Sequence, residues 1–220
     1  MIANKKYEEN KEYKISKLND SQVENGSKEI GIYINQHFLF NTLNSILSLC
    51  RENSEEARKV VLELSSYLRF NFSVTNEIIF LNEEIDNIKS YLYIQKIRFG
   101  TRLNIDYDID KDVNFLIPKN SLYNLIDNAV NHGILRKDLG GTITLMVNRD
   151  KEKIVIKIKD DGIGMDKEQI KSLLIDNCGS LSISSTKYKS LYNSKIEVIS
   201  NSQIGTCILL YIPIKNIKFI

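Results

Sequence analysis

The hydrophobic period of the chain changes at Gly100. Before this residue, apolar side chains such as Val60, Leu64 and Tyr67 recur at intervals of three and four, which indicates helices that bury one face. After it, apolar and polar residues alternate over residues 103–109, as in a half-buried strand. A chain of 220 residues with 42% apolar content can bury the cores of one or two domains. We therefore predict an α+β protein in which a helical domain precedes a two-layer α/β sandwich.

Three segments follow from this division. Residues 1–27 are polar and form either a lead or a linker helix. Residues 28–99 carry three helices, of which the second begins at a capping box that starts with Asn53 and the third begins after Asn82. Helices with one apolar face pair as a hairpin, and two hairpins bury those faces as a four-helix bundle, so we predict a homodimer. Residues 100–220 form the sandwich domain.

The sandwich domain alternates between helix and strand patterns. Pro118 is expected to open a helix at a position that needs no amide donor. The apolar face of that helix consists of Leu122, Leu125, Ile126, Ala129 and Val130. Four alternating runs predict a hairpin and a last pair of strands, at residues 142–148, 153–159, 195–200 and 206–212. Residues 165–193 are polar and weakly patterned.

Composition excludes several classes of function. The formal charge is only +2, which by itself argues neither for nor against a nucleic-acid partner. No basic patch interleaved with aromatic residues is recognisable, and we expect no nucleic-acid partner. Cys50, Cys178 and Cys207 form no CxxC pair, which is typical of thiols in a reducing compartment. The longest apolar run, at 207–214, is too short for a membrane span, and no signal peptide is recognisable. We expect a cytoplasmic protein without membrane insertion.

The first predicted helix has two faces. Leu39, Leu43, Ile46 and Cys50 form an apolar stripe, and a polar stripe is formed by His37, Asn41, Asn44 and Ser48. His37 can therefore reach water from a helix that otherwise packs. On this segment alone, a surface or boundary histidine is the more frequent interpretation.

A second polar face lies on the helix predicted after Pro118. It carries Asn124, Asp127, Asn128 and Asn131, at spacings of three and four. An Asn oxygen is a hard neutral ligand that suits Mg²⁺, which takes only one or two protein ligands and keeps phosphate oxygens and waters. Such a face can also be merely solvated.

Residues 160–165 (DDGIGM) follow the predicted strand 153–159 directly. A carboxylate at a strand end, such as Asp160, can accept a hydrogen bond from the exocyclic amine of adenine, whereas guanine presents a carbonyl there. Gly162 and Gly164 allow the backbone to approach a base or sugar. Alone, this run is more often a turn. The asparagine-rich helix followed by this strand end arises by chance much less often than either feature alone.

At this point the sequence resembles a known family. Residues 127–133 (DNAVNHG) and 160–164 (DDGIG) resemble the N box and the G1 box of the GHKL-type ATP-binding fold, which gyrase and histidine kinases share. Residues 37–46 (HFLFNTLNSI) resemble the phosphoacceptor segment of LytS-type sensor histidine kinases, and residues 81–100 resemble the run that follows it. The resemblance covers roughly residues 30–213.

The resemblance implies a function and a set of site residues. ATP and Mg²⁺ are the expected cofactors, Asn128 holds Mg²⁺ with help from Asn124, and His37 receives the γ-phosphoryl group. Asn41 holds the imidazole tautomer, and Asp127 orients or polarises the imidazole. The implied nucleotide contacts are Asn124, Asn128, Asn131, His132, Gly133, Asp160, Gly162, Gly164, Met165, Gly205 and Thr206. The implied partners are a response regulator with an acceptor aspartate, a second copy of the chain, and a separate sensor or upstream protein.

The sequence departs from the family pattern at several positions. Gln36 replaces a proline, Asn131 replaces a lysine, and Asp127 replaces a glutamate. The glycine-rich lid is expected at residues 180–183 (SLSI), followed by a helix that is shortened before Leu191. Serine turns its backbone amides onto a phosphate less readily than glycine does.

These departures leave alternatives to an active kinase open. The first is a catalytically degenerate relative with the serine-containing lid of Ser180 and Ser182, acting as a histidine phosphotransferase or a pseudokinase scaffold. The second is an ATPase or protein kinase of the same nucleotide fold in which His37 is merely structural.

Overall fold

The structure is a computed structural model that describes residues 36–73, 77–175 and 180–217, with the backbone alone for 172–175 and 180. The predicted lead, residues 1–27, and the start of the first helix lie outside these ranges. The helices described are α1 Gln36–Glu52, α2 Ser54–Phe72, α3 Leu81–Phe99, α4 Tyr123–Asn128, α5 Lys167–Ile175 and α6 Ser180–Tyr192. The strands are β1 Ile78–Phe80, β2 Leu103–Ile109, β3 Leu116–Pro118, β4 Gly141–Arg149, β5 Lys153–Asp160, β6 Lys195–Asn201 and β7 Gly205–Pro213. A π-helical segment, Ala129–Ile134, continues α4.

Five strands form one mixed sheet in the order β2-β4-β5-β7-β6. β2 runs parallel to β4, and the other neighbours are antiparallel. Ile143, Leu145 and Val147 of β4 are buried, as are alternate residues of β5, so the sheet has one buried face. The π-helical segment contacts β4, β5 and β7, and α6 contacts β6. This arrangement confirms the predicted α+β fold class with its two-layer sandwich.

The junction between α1 and α2 confirms part of the predicted capping box. The Asn53 side chain accepts a hydrogen bond from the backbone N–H of Glu56 at 3.1 Å, which satisfies a free donor at the start of α2. The Asn53 N–H donates to the carbonyl of Leu49 at 2.7 Å, and the Glu56 carboxylate accepts from the Tyr93 hydroxyl. The box is therefore half formed, because α3 provides a different partner for Glu56.

The buried face of α1 differs from the predicted apolar stripe. Phe38 and Thr42 are the buried residues of α1, whereas Leu43 and Cys50 are exposed. Thr42 tolerates burial because its hydroxyl donates to the carbonyl of Phe38 at 2.7 Å. The stripe is confirmed in part, because Leu39 and Ile46 are half-buried and pack against the core, but the fully buried side chains of α1 lie outside it. Leu47 is 66% exposed, so a second apolar face of α1 has no covering element in the described chain.

Pro118 does not open a helix, so that prediction was wrong. It ends β3, which pairs antiparallel with β1 so that Pro118 lies opposite Ile78. A two-stranded ribbon has free edges, where the missing N–H of a proline does no harm. The helix itself begins at Tyr123, and its predicted apolar face is buried as expected, from Leu122 to Val130.

Residues 165–193, for which the pattern was weak, contain α5 and α6. Leu181, Ser184 and Tyr188 are buried along one face of α6. Residues 180–183, expected to form the lid loop before a shortened helix, are instead the first turn of α6. In helical backbone glycine has no advantage over serine, so the serines at 180 and 182 are compatible with their local structure. None of the described helices combines the length and apolar character needed to cross a membrane.

Candidate functional site

A cavity of about 240 Å³ lies between α4, its π-helical continuation and the sheet. The helical side provides Leu125, Asn128, Ala129, His132 and Gly133. The strands provide Ile158, Asp160, Val198, Thr206 and Ile208, and the remaining wall consists of Gly164, Met165 and Leu181. Seven of the predicted nucleotide contacts therefore line one cavity: Asn128, His132, Gly133, Asp160, Gly164, Met165 and Thr206.

The N-box and G1-box segments meet at two glycines. A Cβ on Gly162 would lie 2.2 Å from the carbonyl carbon of Gly133, so the two backbones touch. The N–H of Ile163 donates to the Gly133 carbonyl at 3.2 Å across the same contact. Gly133 itself has little room, since a Cβ there would lie 2.8 Å from Oδ1 of Asp160. Gly162 is not among the residues that line the cavity, so it shapes the site by allowing this close approach.

Gly205 has a similar indirect role. Its φ is +117°, and a Cβ on it would lie 2.1 Å from the carbonyl oxygen of Asp160. The neighbouring Thr206 lines the cavity, and its hydroxyl lies 2.9 Å from the Ser200 hydroxyl, within hydrogen-bonding distance. The β6–β7 turn is thus closely packed against the end of β5.

Asp160 is the buried carboxylate of the cavity, with 4% of its surface exposed. Its Oδ1 accepts a hydrogen bond from the N–H of Gly162 at 3.0 Å. Burial raises the pKa of Asp160, against the opposing effect of N–H donors from Gly162 and Thr206. The walls around it are largely apolar, and Leu125, Ile158 and Ile208 are among them. A flat apolar base with one exocyclic amine matches this combination of walls and acceptor.

The asparagines of α4 and of its π-helical continuation differ in their position relative to the cavity. Asn128 lines the cavity, whereas Asn124 is exposed and does not line it. Asn131 also lies outside the cavity lining, and its Nδ2 donates to Oδ1 of Asp127 at 2.8 Å. The described residues contain no group of three or more His, Cys, Asp or Glu side chains that could hold a metal ion. Asn128 is a neutral oxygen donor at the cavity, which suits a Mg²⁺ whose other ligands are phosphate oxygens and waters.

Asp127 is held by α3. The Tyr91 hydroxyl donates to Oδ1 of Asp127 at 2.5 Å, and Nε2 of Gln95 donates to the same hydroxyl at 2.7 Å. Burial raises the pKa of Asp127, while the Tyr91 hydrogen bond, the charge of His132 and the Asn131 amide act in the opposite direction. The side chain thus contacts Tyr91 and Asn131 in this structure, and its action on His37 stays a prediction.

His37 is exposed on the first turn of α1. Nδ2 of Asn41 lies 3.0 Å from Nε2 and 3.2 Å from Nδ1 of His37, so the amide can donate to a ring nitrogen. The next residue, Phe38, packs against Tyr67 and Tyr91 with ring centroids 5.2 and 5.5 Å away. His37 is not among the residues that line the cavity.

Two features of the site region were missed in the sequence. The N-box segment Ala129–Ile134 is π-helical, with the N–H of Leu135 bonded to the Val130 carbonyl at 2.9 Å, and such segments are frequent at functional sites. Glu84 of α3 has no exposed surface, and burial raises its pKa to about 7. The signal for Glu84 was present, because it falls on the apolar face of α3 that contains Leu81 and Ile88.

Comparisons with known proteins agree with this geometry. A model of the family "Histidine kinase" matches residues 29–103, and a model of "Histidine kinase-, DNA gyrase B-, and HSP90-like ATPase" matches residues 118–216. YwpD of Bacillus subtilis (strain 168) is 36% identical over 185 residues, which are 81% of this chain and 66% of that protein. Sensor histidine kinase YpdA of Escherichia coli (strain K12) is 36% identical over 186 residues, 82% of this chain and 33% of that protein. Sensor protein LytS of Staphylococcus haemolyticus (strain JCSC1435) is 29% identical over 216 residues, 91% of this chain and 35% of that protein.

The chain spans just under two thirds of the first of these relatives and about a third of the other two. The two family models together cover most of the chain, one on the helical hairpin and one on the α/β sandwich. The helical domain therefore belongs to the histidine kinase family and the α/β sandwich to the histidine kinase-, DNA gyrase B- and HSP90-like ATPases, and the chain is similar to sensor protein LytS.

Proposed function

We propose that the chain is a two-component sensor histidine kinase that transfers the γ-phosphoryl group of Mg-ATP to His37 and passes it to an aspartate of a response regulator. One observation carries most of the support. Asp160 and Asn128 line the same largely apolar cavity, as an adenine nucleotide and its Mg²⁺ require. No finding favours the degenerate alternative, since the serines of the expected lid lie in a helical turn.

The cavity residues have distinct tasks in nucleotide binding. The second oxygen of Asp160 accepts the exocyclic amine of adenine, and apolar walls such as Leu125 and Ile158 contact the base. Asn128 contributes an oxygen to Mg²⁺, and Asn124, at the exposed start of the same helix, is a second candidate ligand. Bound Mg²⁺ neutralises charge on the phosphoryl oxygens during transfer. The cavity, of about 240 Å³, is smaller than the usual range of roughly 300–1,000 Å³ for ligand pockets.

His37 acts as the nucleophile. The amide of Asn41 lies within hydrogen-bonding distance of the imidazole. For transfer, its oxygen must accept the N–H of one ring nitrogen, which fixes the tautomer and leaves the lone pair of the other nitrogen for the phosphoryl group. That nitrogen forms a bond to phosphorus while the bond to the ADP oxygen breaks, and ADP leaves. Because His37 does not line the cavity, the phosphoacceptor helix and the nucleotide must approach each other, within one chain or between two copies.

We propose a homodimer for the hairpin on the evidence of its exposed apolar side chains. Phe40, Leu43 and Leu47 of α1 are 64%, 43% and 66% exposed, and they share one face at spacings of three and four. Val61 and Leu62 of α2 are about half exposed as well. A second hairpin would bury these faces in a four-helix bundle.

The domain boundaries and the cellular context also remain proposals. We place the dimerisation and phosphoacceptor domain at residues 28–99 and the ATP-binding domain at residues 100–220, with residues 1–27 as lead or linker. The protein is proposed to be cytoplasmic and to receive its signal from a sensor region or an upstream partner. A response regulator with an acceptor aspartate is its proposed substrate.

The test is incubation of the chain with γ-labelled ATP and Mg²⁺, followed by measurement of the label's stability in acid and base. Label on His37 is expected to be acid-labile and base-stable, and His37→Ala is expected to abolish it without loss of ATP binding. The chain contains two histidines, and label that persists in His37→Ala with the same stability would lie on another residue, such as His132, and would refute the proposal.

A further inference from the structure

Residues 119–123, which we call the junction, lead from β3 into the nucleotide-binding helix α4. The start of α4 has no side-chain cap from its own segment. Helices α1, α2 and α3, which together we call the phosphoacceptor hairpin, provide the missing acceptor, because both carboxylate oxygens of Glu84 on α3 face the junction. Oε2 accepts from the N–H of Asn120 at 2.8 Å, and Oε1 accepts from the N–H groups of Leu122 and Tyr123 at 3.0 and 3.1 Å.

The hairpin contacts the junction at a second point. Nζ of Lys119 donates to the carbonyls of Phe70 and Ser73, at 2.9 and 2.7 Å, and lies 3.2 Å from the Ser73 hydroxyl. These groups lie at the C-terminal end of α2, where carbonyls lack helical partners and favour a cation. The junction is therefore held by both α2 and α3.

The opposite side of the junction contacts α6. The hydroxyls of Ser121 and Tyr188 lie 2.9 Å apart, and the hydroxyl of Ser184 donates to the Ser121 carbonyl at 3.1 Å. All three side chains are buried. Leu181, one turn before Ser184 on the same helix, lines the nucleotide cavity. The junction thus joins the hairpin to both helical walls of the cavity.

We propose that Glu84 is a positioning residue of the nucleotide site, which holds the start of α4, and through the junction the first turns of α6, in the arrangement that binds ATP. This inference rests on the proposed function. It deepens that function by placing a determinant of nucleotide affinity inside the phosphoacceptor hairpin. A change in the hairpin that moves Glu84 would then alter the nucleotide site directly.

The charge state of Glu84 provides a specific signature. Burial raises its pKa to about 7, while the three N–H donors and the Lys119 ammonium act in the opposite direction. The other titratable group facing it in the described chain is the Tyr188 phenol, which burial keeps neutral by raising its pKa. The ionised carboxylate accepts three N–H donors well, whereas its protonated form, like a glutamine amide, has a poorer second acceptor.

The experiment measures the dissociation constant of the full chain for AMP-PNP with Mg²⁺ by calorimetry, at pH 6 and pH 8, below the unfolding transition of each variant. Glu84→Gln is expected to raise the constant about tenfold or more at pH 8, since losing one charge-assisted hydrogen bond depopulates the binding-competent arrangement. At pH 6 the ratio of the variant's constant to the wild-type constant should approach one, and this ratio cancels the titration of the nucleotide itself. Asp86→Asn, an exposed carboxylate on the same helix, is the matched control and should have no effect.

Each outcome decides the inference. A ratio of one at both pH values would refute the inference. A ratio above one that is the same at pH 6 and pH 8 would also refute it, because it would indicate a structural effect that does not depend on the charge of Glu84. If Glu84→Gln does not fold, Lys119→Met removes the second hairpin contact, and unchanged affinity in that variant would refute the inference. Absence of binding by the wild-type chain would refute the proposed function itself, which distinguishes the two failures.

Discussion

Asp160→Asn is expected to weaken ATP binding about 10- to 100-fold. The side chain is 4% exposed and already accepts the N–H of Gly162, so asparagine can keep the shape of the cavity and this hydrogen bond. What it loses is the second acceptor oxygen, which becomes an amide nitrogen facing the amine of adenine. A hydrogen bond to a charged group contributes about 1.5–3 kcal/mol, and each 1.4 kcal/mol corresponds to a factor of ten.

The assay is titration calorimetry with ATP and GTP in parallel. The amide of the variant can donate to the guanine carbonyl, so the preference for ATP over GTP should narrow together with the loss of ATP affinity. Asp138→Asn changes an exposed carboxylate and should leave both constants unchanged. An unchanged ATP constant with an unchanged ATP-to-GTP ratio, in a variant with wild-type circular dichroism, would remove Asp160 from the site.

Three further predictions concern packing, assembly and pH. Gly162→Ala places a methyl group 2.2 Å from the Gly133 carbonyl carbon. It should lower the free energy of unfolding by about 1–3 kcal/mol in urea titrations and abolish ATP binding. A variant with wild-type stability would contradict the close contact. Leu47→Glu changes an exposed apolar side chain, so light scattering should show a monomer with unchanged helical content, and a persistent dimer would exclude this face from the interface. The pKa of Glu84 is about 7 in the folded state and 4.5 in the unfolded chain, so the native state binds more protons between these values. The contribution of Glu84 to the free energy of unfolding should therefore fall by about 3 kcal/mol as the pH rises from about 4 to 8. If the free energies of unfolding of the wild type and of Glu84→Gln differ by the same amount at both pH values, this prediction is refuted.

Elements whose determinants are local could be predicted from the sequence. The hairpin of β4 and β5 was predicted at 142–148 and 153–159, and the structure extends each strand by one or two residues. Both the alternation and the charged turn between the strands lie within one short segment. β2 and the pair β6 and β7 were found for the same reason.

Elements whose determinants are distant in sequence could not be predicted. Pro118 suits both the first turn of a helix and the end of an edge strand, and the choice depends on pairing with Ile78, forty residues earlier. α6 has little pattern of its own, because two of its buried residues, Ser184 and Tyr188, are polar and depend on the partner Ser121. A period analysis counts such residues as surface, although their hydrogen bonds make burial favourable.

The polar face of α4 shows most clearly what a period can establish. The spacing of Asp127, Asn128 and Asn131 placed all three on one side of a helix, away from the apolar face, and in the structure none of them is fully buried. The spacing could not show that α3 presents the Tyr91 hydroxyl to Asp127, which then also engages Asn131 and leaves Asn128 as the member of this group that lines the cavity. Neighbouring polar side chains on one face thus have different surroundings, because a partner helix reaches Asp127 and, through it, Asn131, whereas Asn128 lines the cavity. The spacing of polar residues in the sequence therefore identifies candidate binding residues. The helix that packs beside them determines which of these side chains faces the cavity.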